Sequence, residues 1–230
     1  MSPLQKDEMP GDEAAGSDDM ILVTDGLPLR VRQLGRTDYR QTWQAMIDFT
    51  ASRGDATVDE LWCCEHSPVF TLGQAGKPEH LLVDLGIPLL KTDRGGQITY
   101  HGPGQVVIYL LLDLARRRLK VRELVSTIEQ AVIDLLAGHG LRGERHDGAP
   151  GVYVDSAKLA ALGLRVRRNC CYHGLSLNVA MDLSPFAAIN PCGYPGLRVT
   201  QTRDLGVPLN PREAALALLG HLAAQLERRS

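Results

Sequence analysis

The segment RGGQITYHGPGQ, residues 94–105, has a composition that an ordinary structural strand does not require. Four glycines, Pro103, Arg94 and His101 surround only three or four strand-like residues. Glycine allows a ligand to approach the backbone closely and leaves N–H donors free, while Arg94 and His101 supply a charge and a titratable ring. A tight hairpin with glycines in its turn is the alternative interpretation. We therefore expect a ligand-binding loop at this segment.

Strand-like runs lie within this segment and on both sides of it, and each run is bounded by glycine, proline or aspartate. The runs are residues 61–72, 97–100, 105–112, 152–154, 159–166 and 175–179. Residues 197–208 form an irregular connection of the kind that often carries function.

Three helices are predicted: one before these strands, one among them and one after them. Thr37 caps the first, whose apolar residues recur at helical spacing before Gly54 ends it. The second begins near Val121, carries an apolar stripe and ends at the glycines that follow. The third covers residues 211–228, with Asn210 as its cap. The sequence therefore predicts an α/β fold of the α+β type, with a mixed β-sheet flanked by helices.

The chain has 230 residues, of which 44% are apolar, enough to bury one substantial core. Residues 1–19 hold six acidic residues and one lysine, and we predict that they form a disordered tail. Residues 20–230 are predicted to form one folded domain, whose mild basic charge falls far short of a nucleic-acid-binding domain. Because neither a signal peptide nor a run of 18 apolar residues occurs, we expect a cytoplasmic protein with no membrane partner.

The five cysteines match neither an even disulfide framework nor the C-x-x-C spacing of zinc sites, so we expect free thiols. Cys63 and Cys64 lie within an apolar run, as buried structural cysteines usually do. Cys192 instead lies in a turn between Pro191 and Gly193, where a thiol is displayed and can act as a nucleophile. An exposed but inert cysteine is the alternative interpretation.

Lys158 begins the apolar run KLAALGL, residues 158–164, and no acidic residue follows it within ten positions. A solvated lysine at the end of a strand is one interpretation. If its ammonium instead contacts Cys192, the positive charge stabilises the thiolate, and an apolar pocket strengthens that effect.

Two other features have open interpretations. The basic clusters at residues 116–122 and 165–168 are usually solvated faces, although such clusters also steer acidic partners. His173 is either a satisfied histidine at the end of a strand or a residue that lines the site.

Five blocks follow one another along the chain in a distinctive order. They are SPVFTLGQAG (67–76), DRGGQITYHGPGQVVIYLLLDL (93–114), KLAALGLRVRR (158–168), HGLSLNV (173–179) and NPCGY followed by VTQT (190–194 and 199–202). At these blocks the sequence resembles the lipoyl(octanoyl) transferase family, whose fold is shared with lipoate-protein ligases and the catalytic module of biotin protein ligase. The resemblance covers roughly residues 21–218. The cysteine pair at residues 170 and 171 and the acidic tail depart from the usual family pattern.

The resemblance implies that residues 20–230 form an octanoyltransferase catalytic domain with a ligase-like mixed sheet. It implies an acyl-thioester intermediate on Cys192, with Lys158 as the catalytic group that favours the thiolate. It also implies that three of the matching blocks bind the substrate. Their substrate-binding residues are Arg94, Gly95, Gly96, Gln97, Ile98, Thr99, Tyr100, His101, Ala161, Leu162, Gly163, Gly174, Leu175 and Ser176.

The activity implied by the resemblance is transfer of an octanoyl group from octanoyl-acyl carrier protein to a lysine of a lipoyl domain, the first step of endogenous protein lipoylation. The acyl group would arrive on the phosphopantetheine of the carrier. The acceptors would be the lipoyl domains of 2-oxoacid dehydrogenase complexes and the glycine cleavage H protein. Because thioester exchange is near balance and amide formation is downhill, we expect no cofactor, neither ATP nor a metal.

Two other functions compete with this interpretation. An ATP-dependent lipoate-protein ligase of the same fold would activate a free acid as an adenylate and would need no cysteine nucleophile, so Cys192 argues against it. A thiol-rich metal-binding or scaffold protein would use Cys170, Cys171, His173, His101 and His66. Adjacent cysteines chelate a single ion poorly, which argues against that alternative.

Overall fold

The computed structural model describes residues 19–228, and this part of the chain contains ten strands and three α-helices. The strands are β1 (Met20–Thr24), β2 (Leu27–Thr37), β3 (Asp59–His66), β4 (Val69–Leu72), β5 (Leu89–Lys91), β6 (Ile98–His101), β7 (Gln105–Leu111), β8 (Gly151–Val154), β9 (Ala157–Arg167) and β10 (Cys170–Asn178). The helices are α1 (Tyr39–Ser52), α2 (Val121–Ala137) and α3 (Pro211–Glu227).

The strands form a large sheet and a small sheet. The large sheet has the order β1-β2-β3-β7-β10-β9-β8, and its pairs are antiparallel except for the parallel pair β2 and β3. The small sheet has the order β5-β4-β6. The prediction of a mixed β-sheet flanked by helices is confirmed, with part of that sheet separated as the small one.

Helices cover both faces of the large sheet. The main apolar core lies between this sheet and α2 with α3, and it includes Leu124, Leu136, Leu218 and Leu222, all fully buried. A second core lies between α1 and the opposite face of the sheet, around Trp62. A third apolar cluster joins the small sheet to residues 181–189.

The predicted helices exist, and their ends follow the expected capping chemistry with one exception. The Asn210 side chain accepts a hydrogen bond from the Glu213 N–H, as the sequence predicts for α3. The prediction that Thr37 caps α1 is wrong, because Thr37 is the last residue of β2. Asp38 is the cap, and its carboxylate accepts from the Gln41 N–H at 3.0 Å.

The prediction of a single strand-like run is wrong where one apolar run contributes strands to two sheets. Residues 61–72 were expected to be a single run, but β3 ends at His66 and β4 begins at Val69 in the small sheet. Pro68 lies at this break, and proline cannot donate a hydrogen bond to a sheet. The predictions also miss β1, β2 and β5.

The cluster at residues 116–122 is only partly a solvated face. Asp59 is fully buried, and its carboxylate binds the guanidinium groups of Arg53, Arg116 and Arg117. Arg117 is itself buried, so it contributes nothing to a docking surface.

No helix within residues 19–228 is both long and apolar enough to cross a membrane. The predicted disordered tail, residues 1–19, lies outside the described residues except for Asp19.

Candidate active site

A cavity of about 490 Å³ opens beside the glycine-rich segment that the sequence analysis singled out. Strands β6, β9 and β10, the first turns of α2, and residues 148–150 and 192–194 surround it. All the predicted substrate-binding residues line the cavity except Tyr100. The Tyr100 ring lies between Phe70 and Phe186 in the cluster of the small sheet, since successive side chains of a strand point to opposite faces.

The floor of the cavity is a stretch of the β9–β10 pairing. Ala161 pairs with Ser176 at one end, Leu164 pairs with His173 at the other, and every residue of both segments lines the cavity. Three steps of about 3.3 Å separate the two ends, so the floor is roughly 10 Å long. Lys158 precedes Ala161 on β9 and therefore lies beyond the Ser176 end.

Glycines allow the Arg94 loop to lie against this floor. The Gly95 N–H donates to the Leu164 carbonyl oxygen at 2.9 Å. A Cβ atom on Gly163 would lie 3.0 Å from the Gly95 carbonyl oxygen and 3.2 Å from the Arg94 side chain. Gly163 is therefore required for close approach of the two segments.

Lys158 and Cys192 meet at the Ser176 end of the cavity. The Lys158 Nζ lies 2.9 Å from the Cys192 Sγ, and only 5% of Lys158 is exposed. Two backbone hydrogen bonds bring the segments together: the Lys158 N–H donates to the Arg198 carbonyl, and the Thr200 N–H donates to the Lys158 carbonyl. The irregular connection after Cys192 thus continues the sheet beside β9, which explains how residues distant in sequence come into contact.

The charge on Lys158 is favoured by its neighbours. Burial works to lower the pKa of Lys158, but the Cys192 sulfur and the Tyr153 oxygen outweigh it, so the pKa is raised above its ordinary value. Lys158 is therefore an ammonium at neutral pH, and it presents a positive charge to the sulfur.

The Cys192 turn holds the cysteine in an uncommon backbone conformation. Cys192 has φ 56° and ψ 17°, in the left-handed region, and Gly193 follows with φ 79°. The N–H groups of Gly193 and Tyr194 are used inside the turn, donating to Asn190 and Pro191. Within residues 19–228 the Cys192 N–H has no acceptor, so it is available to a ligand. The Gln97 side chain packs against Gly193, where a Cβ atom would meet it at 3.1 Å.

Arg94 places a second cation in the cavity wall. It is 8% exposed, and its guanidinium donates to the carbonyl oxygens of Thr71, Gly95 and Gln97. Burial lowers the pKa of Arg94, although the neighbouring Tyr39 and Cys192 work in the opposite direction. These acceptors are neutral oxygens, so the charge adds to the positive potential of the cavity.

His173 combines the two roles that the sequence left open. Its ring lines the cavity, and its Nε2 lies 3.0 Å from the Asp93 carboxylate. Burial works to raise the pKa of Asp93, but hydrogen bonds from His173, Tyr172 and Trp43 hold it well below its usual range. Burial also lowers the pKa of His173. The neutral ring therefore donates through Nε2 to an ionised carboxylate.

The far part of the wall contains polar residues that the sequence analysis did not identify as site residues. The Tyr39 ring stacks on His101, and the Tyr109 hydroxyl lies 2.6 Å from the His66 Nε2. Burial lowers the pKa of His66 to about 4 and that of His101 to about 3, so both rings are neutral. Other unpredicted lining residues are Val107, Val121, Val125, Gly148, Ala149, Pro150, Leu164 and Tyr194. Of these, Tyr194 had a local signal, since it follows the Cys192 turn directly.

Two residues of the alternative metal site are engaged in other contacts. The Cys171 Sγ donates to the Leu110 carbonyl oxygen, and His173 binds Asp93. Within residues 19–228 no group of three His, Cys, Asp or Glu side chains is arranged to hold a metal ion.

Comparisons with known proteins match most of the chain. The model of the lipoyl protein ligase A/B catalytic domain matches residues 38–223. An octanoyltransferase of Dechloromonas aromatica (strain RCB) is 67% identical over 204 residues, which cover 89% of this chain and 100% of that protein. An octanoyltransferase of Azoarcus sp. (strain BH72) is 65% identical over 197 residues, covering 85% of this chain and 87% of that protein.

Solved structures with low sequence identity share the fold. Lipoate-protein ligase A bound with ATP gives a TM-score of 0.70 at 19% identity, over 85% of this chain and 84% of that one. The bipartite lipoate protein ligase of Thermoplasma acidophilum, described with its E2 lipoyl domain, gives a TM-score of 0.66 at 19% identity, over 88% of this chain and 84% of that one. Biotin protein ligase of Aquifex aeolicus gives a TM-score of 0.54 at 13% identity, over 87% of this chain and 72% of that one. The prediction of a fold like that of the lipoate and biotin ligases is confirmed.

Proposed function

This chain belongs to the lipoyl(octanoyl) transferase family, and we propose that it passes an octanoyl group from acyl carrier protein to a lipoyl-domain lysine through a thioester on Cys192. The predicted family and the acyltransferase class are confirmed by these relatives. The observation that carries the proposal is the 2.9 Å contact between the Lys158 Nζ and the Cys192 Sγ at the end of a cavity.

In the first step the Cys192 thiolate attacks the carbonyl carbon of the octanoyl thioester. A bond forms between that carbon and the Cys192 sulfur, and the bond to the pantetheine sulfur breaks. The leaving thiolate takes a proton from the Lys158 ammonium, which becomes a neutral amine. The Cys192 N–H, which has no acceptor among the described residues, would donate to the developing oxyanion, and the cations of Lys158 and Arg94 favour the same negative charge.

In the second step the amine of the acceptor lysine attacks the Cys192 thioester. A carbon–nitrogen bond forms, and the bond to the Cys192 sulfur breaks. Lys158 takes the proton lost by the incoming amine, so the ammonium and the thiolate are both restored. No step consumes ATP or involves a metal.

The size of the cavity supports an eight-carbon acyl group. Its volume lies within the range of roughly 300–1,000 Å³ that small-molecule sites occupy. An extended octanoyl chain measures roughly 9 Å when built from carbon–carbon bonds of about 1.5 Å. This length matches the floor between Ser176 and His173, so His173 would lie at the distal end of the chain and limit its length.

The acceptor is proposed from the relatives. The Thermoplasma ligase was described with an E2 lipoyl domain, and octanoyltransferase is the name of the two relatives above. We propose the lipoyl domains of 2-oxoacid dehydrogenase complexes and the glycine cleavage H protein as acceptors of this chain.

A reconstituted assay tests the proposal and its ligase rival together. The enzyme is incubated with octanoyl-acyl carrier protein and a lipoyl domain, with and without ATP, and intact masses of all three proteins are measured. We expect the octanoyl mass on the lipoyl domain without ATP, and none with Cys192→Ala. Acylation that requires ATP and free octanoate, and that survives Cys192→Ala, would establish the ligase reaction instead.

A further inference from the structure

The side chain of Lys158 occupies a gap left by a glycine on the neighbouring strand. Gly151 begins β8 with φ 144°, and a Cβ atom there would lie 2.5 Å from the Lys158 Cε and 3.3 Å from the Nζ. The Gly151 N–H donates to the buried Glu129 carboxylate of α2 at 3.0 Å, which fixes the backbone at this point. A side chain at residue 151 would therefore collide with the lysine side chain, and also with the Ala160 carbonyl oxygen at 2.6 Å.

An aromatic ring lies beside the Lys158 ammonium. Tyr153 pairs with Lys158 in the β8–β9 register, and its ring centroid lies 5.3 Å from the Lys158 Nζ. Only 1% of Tyr153 is exposed. A cation over the face of a desolvated ring is attracted by the electron density of that face.

The ring itself is held from two other directions. The Tyr153 hydroxyl donates to the Ala149 carbonyl oxygen at 2.9 Å. The His146 ring stacks on Tyr153 with 3.9 Å between the centroids and an angle of 8° between the planes. These two contacts restrain the Tyr153 ring, so its position does not depend on the position of the Lys158 side chain.

We infer that Tyr153 is a positioning residue for the reaction, and that its ring, together with the gap at Gly151, holds the Lys158 ammonium against the Cys192 sulfur. This inference rests on the proposed function, because it assigns Tyr153 a role only through Lys158. The restriction that this geometry places on the lysine side chain favours it over a purely structural role. Few conformations of a four-carbon side chain satisfy both the gap and the ring, and a long lysine chain otherwise has several rotamers to choose from.

The groups that face the ammonium are few. Cys192 and Tyr153 contact it directly, Tyr194 lies near the Tyr153 oxygen, and Arg94 lies near the Cys192 sulfur. His146 lies behind the Tyr153 ring, and Glu129 lies behind Gly151. A change in the pH response of Cys192 on substitution of Tyr153 therefore has a short list of sources, with Lys158 the nearest.

Alkylation of Cys192 without any acyl substrate tests the inference. The rate of modification by iodoacetamide, assigned to Cys192 by peptide mass, is measured from pH 5 to pH 10 for the parent, Tyr153→Met and Tyr153→Phe. Tyr153→Met removes the ring but keeps much of the volume, and we expect its rate at neutral pH to fall about fivefold, the order of one cation–π contact. Tyr153→Phe keeps the ring but removes the hydroxyl oxygen that also favours the Lys158 charge, so we expect a smaller fall in the rate than for Tyr153→Met.

A double-mutant cycle with Lys158→Met distinguishes positioning from structure. If Tyr153 acts through Lys158, Tyr153→Met has no further effect on the profile when Lys158 is already Met. Trp62→Met is the matched control, because Trp62 is a buried aromatic residue that packs against α1. We expect that variant to lower the melting temperature without moving the alkylation profile.

The inference is overturned if Tyr153→Met lowers the melting temperature but keeps the parent profile, or if its effect persists in full beside Lys158→Met. Should Tyr153→Met fail to fold, Tyr153→Leu is the second variant, because it also removes the ring, and it should move the profile in the same direction. If Lys158→Met itself keeps the alkylation profile of the parent, the proposed function is contradicted, and not only the role of Tyr153.

Discussion

At the scale of single residues, the contact between Lys158 and Cys192 is the basis of the proposed reaction. Lys158→Met keeps the length of the side chain but removes the positive charge 2.9 Å from the Cys192 sulfur, which we propose favours the thiolate. A free cysteine titrates near ~8.5, so we expect alkylation and acylation at neutral pH to slow by roughly tenfold or more. Stopped-flow acylation by octanoyl-acyl carrier protein from pH 6 to pH 9 measures this effect.

Raising the pH should restore the first step of Lys158→Met more fully than the second. The second step still lacks the group that accepts a proton from the incoming amine, so the two steps must be timed separately. An alkylation profile identical to that of the parent would refute the pairing of Lys158 with Cys192.

His66 and His101 make the stability of the fold sensitive to acid. Burial lowers the pKa of His66 to about 4 and of His101 to about 3, against ~6.5 in an unfolded chain. Between these values the unfolded state binds more protons than the folded state, so stability falls as pH drops below ~6.5. At pH 5 each ring should lower the free energy of unfolding by about 2 kcal/mol relative to its value at pH 7 or above. Chemical denaturation at pH 5 and pH 7.5 measures the difference.

His66→Gln serves as the test variant for this pH dependence. Gln is neutral throughout the range, so the variant should lose a smaller part of its stability between pH 7.5 and pH 5 than the parent does. A slope equal to that of the parent would mean that His66 does not stay neutral when the chain is folded.

At the scale of elements, the Cys192 turn needs a glycine at residue 193 for two reasons. Gly193 has φ 79°, and a Cβ atom would meet the Gln97 side chain at 3.1 Å. Gly193→Ala should therefore displace Cys192 and lower the acylation rate by about tenfold or more, since small misplacement of a nucleophile is costly. Single-turnover acylation measures this rate.

Gly196→Ala is the matched control for Gly193→Ala. Gly196 also has a positive φ, 72°, but nothing lies within 4 Å of a Cβ atom there. Gly196→Ala should lower the free energy of unfolding on the order of 1 kcal/mol, because alanine is disfavoured at a positive φ, and it should change the acylation rate little. Equal effects of the two variants on acylation would mean that backbone strain, and not the Gln97 contact, governs the turn.

The helices were predictable from sequence because their signals are local. Apolar spacing and capping residues located α2 and α3, and only the cap of α1 was displaced by one residue, to Asp38. The strands depend on partners elsewhere in the chain. The alternation of Leu29 and Val31 with arginines was a usable signal for β2, but nothing local shows that residues 61–72 divide between two sheets.

At the scale of the whole molecule, the site brings together segments that the sequence keeps apart. The glycine-rich loop, Lys158 and the Cys192 turn were recognisable because each has an unusual composition. Tyr39, Tyr109 and Val125 were not, because a helix start, a buried strand and an apolar stripe have the same appearance whether or not they face a cavity. Their position depends on the packing of α1 and α2 against the sheet.

The charge of the surface predicts how the carrier protein docks. Arg167 and Arg168 are exposed at the turn between β9 and β10, whereas Arg165 is half-buried. Acyl carrier protein is proposed as an acidic donor, so Arg167→Glu with Arg168→Glu should weaken the encounter several-fold, and added salt should reduce the difference from the parent. The second-order rate constant of acylation at low and high salt measures this effect.

Arg36→Glu with Arg40→Glu provides the matched control for charge reversal, because it changes the net charge by the same amount. Arg36 on β2 and Arg40 on α1 are both exposed, so this variant alters the net charge without changing the β9–β10 turn. If both variants lower the second-order rate constant equally, net charge alone explains docking. If the rate constant does not depend on salt, the β9–β10 turn is not the docking face.

The central claim is that the octanoyl group rests on Cys192 between donor and acceptor. The most direct test isolates enzyme that has reacted with octanoyl-acyl carrier protein, maps the adduct by peptide mass, and mixes that enzyme with a lipoyl domain in the absence of ATP. We predict an octanoyl group on Cys192 alone, lost from the enzyme at the rate at which it appears on the lipoyl domain. An adduct on Cys170 or Cys171, or a Cys192 adduct that remains while the lipoyl domain is acylated from the carrier, would contradict the account.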